Sequence, residues 1–179
     1  IGIAQDSGES DAESDTVSGT CGGNLTWTYA DGVLTISGTG PMTSYSNTSN
    51  RTTAPWGSYY QSITSIVVEG ASTIGGYAFY GCDKVTSVTI DDTVTSIGQY
   101  AFYNVCSGER YMIEVPASVT SIGSYAFYES KTGLTVKYPN TATLGSCSFS
   151  NCFTTSYKVT YFTVDQCNYR VTSEPLAKA

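Results

Sequence analysis

Between residues 63 and 139 the apolar positions fall into short alternating runs: "ITSIVVE" at 63–69, "VTSVTID" at 85–91, "YMIEVP" at 111–116 and "LTVKYP" at 134–139. Alternation of period two sends successive side chains to opposite faces of a strand. Val88 and Ile90 therefore point one way while Ser87, Thr89 and Asp91 point the other. After each run comes an Ile-Gly or Leu-Gly pair: Ile74-Gly75, Ile97-Gly98, Ile122-Gly123 and Leu144-Gly145, spaced by 23, 25 and 22 residues. A phenylalanine follows each pair at the same intervals, at Phe79, Phe102, Phe127 and Phe149. A fifth run, "VTYFTVD" at 159–165, repeats the apolar spacing of the second through Val159, Phe162 and Val164. Five strands and four complete coils are predicted. Self-similarity at such an interval marks a stacked-repeat architecture, in which no unit can bury its own apolar face alone.

Each part of the repeat has a mechanical role. Ile97 with Val94 forms a second short extended piece, and Gly98 is expected to allow a backbone direction that a Cβ would resist. The segment "QYAFYN" is long enough for one helical or 3-10 turn, with Phe102 filling the interior and Ala101 leaving room for the next coil. The expected fold is an α/β but β-rich solenoid with short helical turns.

Ahead of the repeats, "NLTWTYADGVLTISG" alternates around Asp31-Gly32 and reads as a β-hairpin. The first coil of a solenoid has no predecessor and needs a cover, which Trp27, Leu34 and Ile36 can supply. Three segments follow: an acidic disordered linker at 1–18, an N-terminal β cap at 19–60, and the solenoid at 61–179, cap and solenoid forming one folded domain.

The net charge of −7 changes the picture little once mapped. Asp6, Glu9, Asp11, Glu13 and Asp15 all lie in the first fifteen residues, leaving the rest with ten acids against eight bases. That tail is too poor in large apolar residues to offset the entropy of ordering. There is no basic patch for nucleic acid, and no run of about 18 apolar residues for a membrane helix. The chain begins at Ile1 without a leader and reads as a processed piece of a larger product. Abundant Thr, Ser, Gly and Tyr with only 13% charged residues fits exposed β-structure outside the cytoplasm.

Candidate chemistry is sparse. Histidine is absent, which removes the commonest general base and metal ligand. Of the six cysteines, none forms a Cys-x-x-Cys pair, so a zinc site has little support. Cys82 and Cys152 each follow a marker phenylalanine by three residues and are expected as buried thiols inside the stack. A disulfide elsewhere, for example of Cys106 with a neighbour, stays open. Asp91-Asp92 is expected to be a solvated turn. No catalytic residue, metal or cofactor is expected.

Two surfaces are left for binding. By register the outward sheet face carries Ser65, Ser87, Met112, Thr135 and Tyr161 in one column and Val67, Thr89, Glu114, Lys137 and Thr163 in the next. Thr89, Met112, Glu114, Lys137 and Tyr161 are the candidate ligand contacts on what would be the concave side. The second surface is a pair of tyrosine rows: Tyr77, Tyr100 and Tyr125 before Ala-Phe, and Tyr80, Tyr103 and Tyr128 after it. Tyrosine suits recognition of proteins or sugars, although stacked tyrosines also serve simply to cover the coil edges.

The signature "SGTCGGNLTWTYADGVLTISGTGPM", the following "PW" and the repeats of form Val-x-x-Val-x-Ile then Val-x-x-Ile-Gly-x-x-Ala-Phe resemble the BspA-type leucine-rich repeat proteins across residues 18–165. Here Val, Ile and Phe replace most leucines, and Asp91-Asp92 or Pro116 stands where many leucine-rich repeats have an asparagine ladder. The resemblance implies a curved right-handed leucine-rich-repeat superhelix and a role in adhesion or protein binding at the surface of host-associated bacteria. The expected partner is an extracellular protein or a glycan, with other domains of a parent protein alongside. The other reading is a structural spacer without its own ligand.

Overall fold

The computed structural model describes residues 15–105, 111–128, 134–150, 152–157 and 170–171. The chain opens as an antiparallel meander of β1 (Val17–Gly22), β2 (Asn24–Ala30) and β3 (Val33–Pro41). β1 begins two residues inside the segment expected as linker; residues 1–14 lie outside the described residues. Asp31 and Gly32 both take positive φ, 49° and 81°, the backbone twist that a two-residue hairpin turn requires. The expected hairpin therefore forms, with Trp27 opposite Ile36. Trp27, Leu34 and Ile36 are all buried.

A small hairpin of β4 (Asn47–Thr48) and β5 (Arg51–Thr52) and a 3-10 turn at Gly57–Tyr59 complete the cap. The repeating coils then begin with β6 (Ser65–Val68) and β7 (Ala71–Ile74), continue with β8 (Ser87–Ile90) and β9 (Ser96–Ile97), and then with β10 (Tyr111–Glu114) and β11 (Ser121–Ile122). Next come β12 (Leu134–Pro139) and β13 (Thr143–Leu144), with β14 (Phe153–Tyr157) and β15 (Arg170–Val171) beyond.

Two parallel ladders result. One carries the longer strands: β3, β6 and β8 pair in series, then β10, β12, β14 and β15. β8 and β10 lie side by side without joining into one ladder. The other carries the short strands that hold the Ile-Gly pairs, so that Ile74, Ile97, Ile122 and Leu144 fall into one register. β3 belongs to both, pairing β6 along Val33–Ile36 and β7 at Gly40 and Pro41. The cap is thereby built into the solenoid as its first rung.

The turns differ from expectation. No helix forms over "QYAFYN": the amides of Tyr77, Phe79 and Gly81 donate to the carbonyls of Gln99, Ala101 and Tyr103 in the next coil. Tyr100, Phe102 and Asn104 donate in turn to Ser124, Ala126 and Tyr128. Only the intervening amides, such as Ala78 to Gly75 and Tyr80 to Tyr77, close turns locally. A helix would commit consecutive amides to its own segment, whereas here every second amide is taken by the neighbour. The fold is therefore a β-solenoid and not an α/β structure, with Gly57–Tyr59 its one 3-10 element among the described residues.

Inside the stack, Phe79, Phe102, Phe127 and Phe149 are fully buried, their ring centroids 5.1, 5.1 and 5.8 Å apart in order. Trp56 heads this column, 5.8 Å from Phe79. Its indole N–H donates to the Ala78 carbonyl at 2.8 Å. In the later coils the matching carbonyls of Ala101 and Ala126 accept from a phenylalanine main-chain amide. One side chain in the cap thus supplies both the ring and the donor of a missing rung.

Gly98 also has a different reason from the one expected. Its φ lies outside the left-handed region, but a Cβ there would sit 2.4 Å from the Gly76 backbone nitrogen in the coil beneath. Close approach between coils, and not backbone freedom, selects glycine. The place expected for a strand at 159–165 is also taken by another segment: β14 pairs with β12, Thr135 opposite Phe153. Residues 158–169 lie outside the described residues, and Tyr161 and Thr163 with them. Cys82 and Cys152 are buried thiols outside any disulfide, as expected. Burial pushes the Cys82 thiol well up. Cys147 is disulfide-bonded, while Cys106 and Cys167 lie outside the described residues.

Candidate functional site

The long-strand ladders bring most of the expected face together. Ser65 pairs with Ser87 and Val67 with Thr89; Met112 pairs with Thr135 and Glu114 with Lys137. Thr89 and Glu114 are exposed, Lys137 is half-buried, and Met112 is 52% exposed. The Lys137 ammonium lies 3.6 Å from the Glu114 carboxylate, so the two candidate charges neutralise each other across adjacent strands. At this exposure such a pair contributes little to stability. Thr89 and Glu114 belong to separate ladders among the described residues, although β8 and β10 lie side by side. Beyond Lys137 the register neighbour is Thr155 and not Thr163.

The tyrosine rows form as two parallel stacks. Tyr77, Tyr100 and Tyr125 lie 4.8 and 5.0 Å apart with ring planes 13° and 8° from parallel. Tyr80, Tyr103 and Tyr128 lie 4.6 Å apart at each step, 7° and 9° from parallel. The rows touch each other through tilted contacts, such as Tyr100 to Tyr103 at 5.6 Å. All six are half-buried. Their backbone holds a feature no sequence pattern announces: φ is 57°, 56° and 56° at Tyr77, Tyr100 and Tyr125, and 56° at Cys147, the matching position of the next coil. A bulky residue in this region is an outlier. Each tyrosine stands third in a turn closed by the amide of the following alanine, as Ala78 to Gly75 shows, where positive φ is the rule and glycine or asparagine the usual occupant.

A family model for the BspA type leucine rich repeat region matches residues 58–170, in six copies. The chain belongs to this family. Among solved structures, a leucine-rich repeat protein from Eubacterium ventriosum ATCC 27560 is similar, with 26% identity and a TM-score of 0.57. The match covers 80% of this chain and 44% of that one, so the chain spans less than half the length of that relative. No curated protein matches.

In this BspA-type chain Asp91 takes on the work of a ladder residue. Its carboxylate accepts from the Gly70 amide of the preceding coil at 2.8 Å and from the Thr93 amide at 3.1 Å, and the Thr93 hydroxyl donates to it as well. That is a turn clamp joining two coils, with both Asp91 carboxylate oxygens engaged. Among the described residues no three cysteine, aspartate or glutamate side chains converge as a metal site would need. Among the described residues no helix is long and apolar enough to cross a membrane.

The tyrosine stacks of the BspA-type fold also carry a pH dependence. Desolvation, reinforced by the neighbouring phenols, raises Tyr80, Tyr100 and Tyr103 above the ordinary value of 10.0. Folding therefore favours the neutral phenol, and this contribution is complete below pH 10 and lost as pH rises through the raised values. A melting series should begin to fall near pH 9, where the thiols of Cys21 and Cys82, both raised by burial, ionise in the unfolded chain, and should fall further above pH 10. Only the part above pH 10 should coincide with phenolate absorbance and shrink in a Tyr100→Phe, Tyr103→Phe variant.

Proposed function

We propose that this chain is an extracellular binding module of a bacterial surface protein, recognising a protein partner through the outward face of its long-strand ladders. Family membership supports a protein-interaction scaffold and not an enzyme. The observation that carries the reading is Met112, an apolar side chain 52% exposed beside the Glu114–Lys137 pair. A flexible thioether is a favoured contact at protein interfaces, and the neighbouring charges supply a polar rim. Thr89 extends the face onto the preceding coil. The partial cover of the related structure supports further domains in a parent protein.

A specific observation favours the spacer reading as well. Ser65, Ser87, Thr89 and Thr135 fill the same columns, and Val33 and Met112 are the exposed large hydrophobic residues among those described. An array of immobilised extracellular-matrix and bacterial surface proteins, probed with the purified chain, separates the two. Binding at micromolar concentration that weakens about tenfold or more in Met112→Glu is expected, as for loss of an interface anchor. Absence of any binder, or binding indifferent to that substitution, would leave a spacer that displays neighbouring domains.

A further inference from the structure

We propose that the tyrosine double row is a second binding site, for an uncharged polysaccharide chain lying along the solenoid axis. Stacking within each row consumes the ring faces, so the rows present ring edges and phenol hydroxyls. None of the six hydroxyls has a hydrogen-bond partner among the described residues, and none is a buried orphan. They therefore stand free in two parallel files with a pitch of 4.6 to 5.0 Å, each able to donate and accept.

The pitch selects among linear ligands. An extended peptide advances about 3.3 Å per residue and a polyproline II helix about 3.1 Å, and both fall out of step with the files within one coil. Pyranose rings in an extended β-linked glycan repeat at a spacing close to that of the tyrosines, so successive sugars meet successive phenols. Charge points the same way. The positions beside the first row are Gly76, Gln99 and Ser124, and the nearby Lys84 and Asp83 pair with each other at 3.7 Å. Among the described residues flanking the rows, Gly76, Gln99, Ser124, Gly81 and Asn104, none is charged, whereas the phenols offer sugar hydroxyls both donors and acceptors.

The backbone shows that the residue type is chosen for its side chain. At the other left-handed position of the same turn the chain uses Gly81 and Asn104, at φ 78° and 53°, residues that adopt this conformation readily. At Tyr77, Tyr100 and Tyr125 it places a phenol there in three coils running, and the row ends where Cys147 replaces it. A site three coils long is the result.

Affinity electrophoresis of the full chain in native gels containing soluble mixed-linkage β-glucan, xyloglucan or galactomannan tests the proposal. At least one of these should retard the wild type. Tyr100→Phe with Tyr103→Phe keeps the stacked rings and removes two central hydroxyls. It should weaken retardation about tenfold, the effect of losing two hydrogen bonds of ordinary net strength. A second pair at the ends of the files, Tyr77→Phe with Tyr128→Phe, should weaken it less. The proposal is overturned if none of the three polymers retards the wild type, if the central pair is retarded as strongly as the wild type, or if polyproline in the gel retards it instead. The sheet face has no part in these outcomes, so they are independent of any protein partner.

Discussion

Phe102→Ala is expected to destabilise the solenoid by about 3–5 kcal/mol, read as a fall in the midpoint of urea denaturation. The ring is fully buried and lies 5.1 Å from Phe79 on one side and 5.1 Å from Phe127 on the other. The gap left by its loss cannot close, because the spacing of the coils is held by the two parallel ladders and by the turn amides that donate from coil to coil. Phe102 itself donates to Ala126 through its amide at 2.7 Å, and Phe79 donates to Ala101 at 2.8 Å. The cost also reaches beyond one coil. In a linear stack, stability is the sum of units and their nearest-neighbour contacts, so a void at the centre uncouples the cap from the last coils. Thr89→Ala on the exposed face should fall within about 0.5 kcal/mol of the wild type. Equal midpoints for the two variants would contradict the stacked core.

What could be read in advance follows from what each residue must do. Positions that face the next coil repeat, because the same shape must recur there; hence the Ile-Gly and Phe intervals, the buried Cys82 and Cys152, and the pairing of Met112 with Thr135 and Glu114 with Lys137. Asp31-Gly32 was legible because few other pairs tolerate that turn. Trp56 was not, since it occurs once and replaces a ring and an amide donor from different parts of the repeat. The turns misled because a four-residue aromatic segment says nothing about which coil receives its amides. "VTYFTVD" has a stronger alternating pattern than "FTTSY", yet β14 is formed by the latter. Phe153 begins directly after the turn that buries Phe149 and Cys152, so the chain reaches the edge of β12 there with no further loop to close. The tyrosine rows were visible as residues, but their left-handed backbone was not, because tyrosine is among the last residues that conformation would suggest.

Gly98→Ala should cost about 3 kcal/mol, the upper part of the overpacking range, although it adds a single methyl group. That methyl would meet the Gly76 nitrogen at 2.4 Å, the Gly76 Cα at 2.7 Å and the Gly75 carbonyl carbon at 2.8 Å. All three are backbone atoms and cannot rotate away as a side chain would. The coil cannot lift either, since the Gly98 amide is held to the Ile74 carbonyl at 2.8 Å. Gly40→Ala gives the complementary case: its φ is +98°, a conformation that strains any Cβ, but nothing lies within 4 Å of the added atom. Backbone strain alone should cost about 1–2 kcal/mol there. If glycine were needed after each isoleucine for its conformational freedom, Gly40→Ala would be the more damaging change. Because coil contact is the constraint, the order of the two denaturation midpoints should be the reverse, with Gly98→Ala the lower. Gly123 and Gly145, whose added Cβ would lie 2.4 Å from Gln99 N and Ser124 N respectively, should behave like Gly98 and not like Gly40.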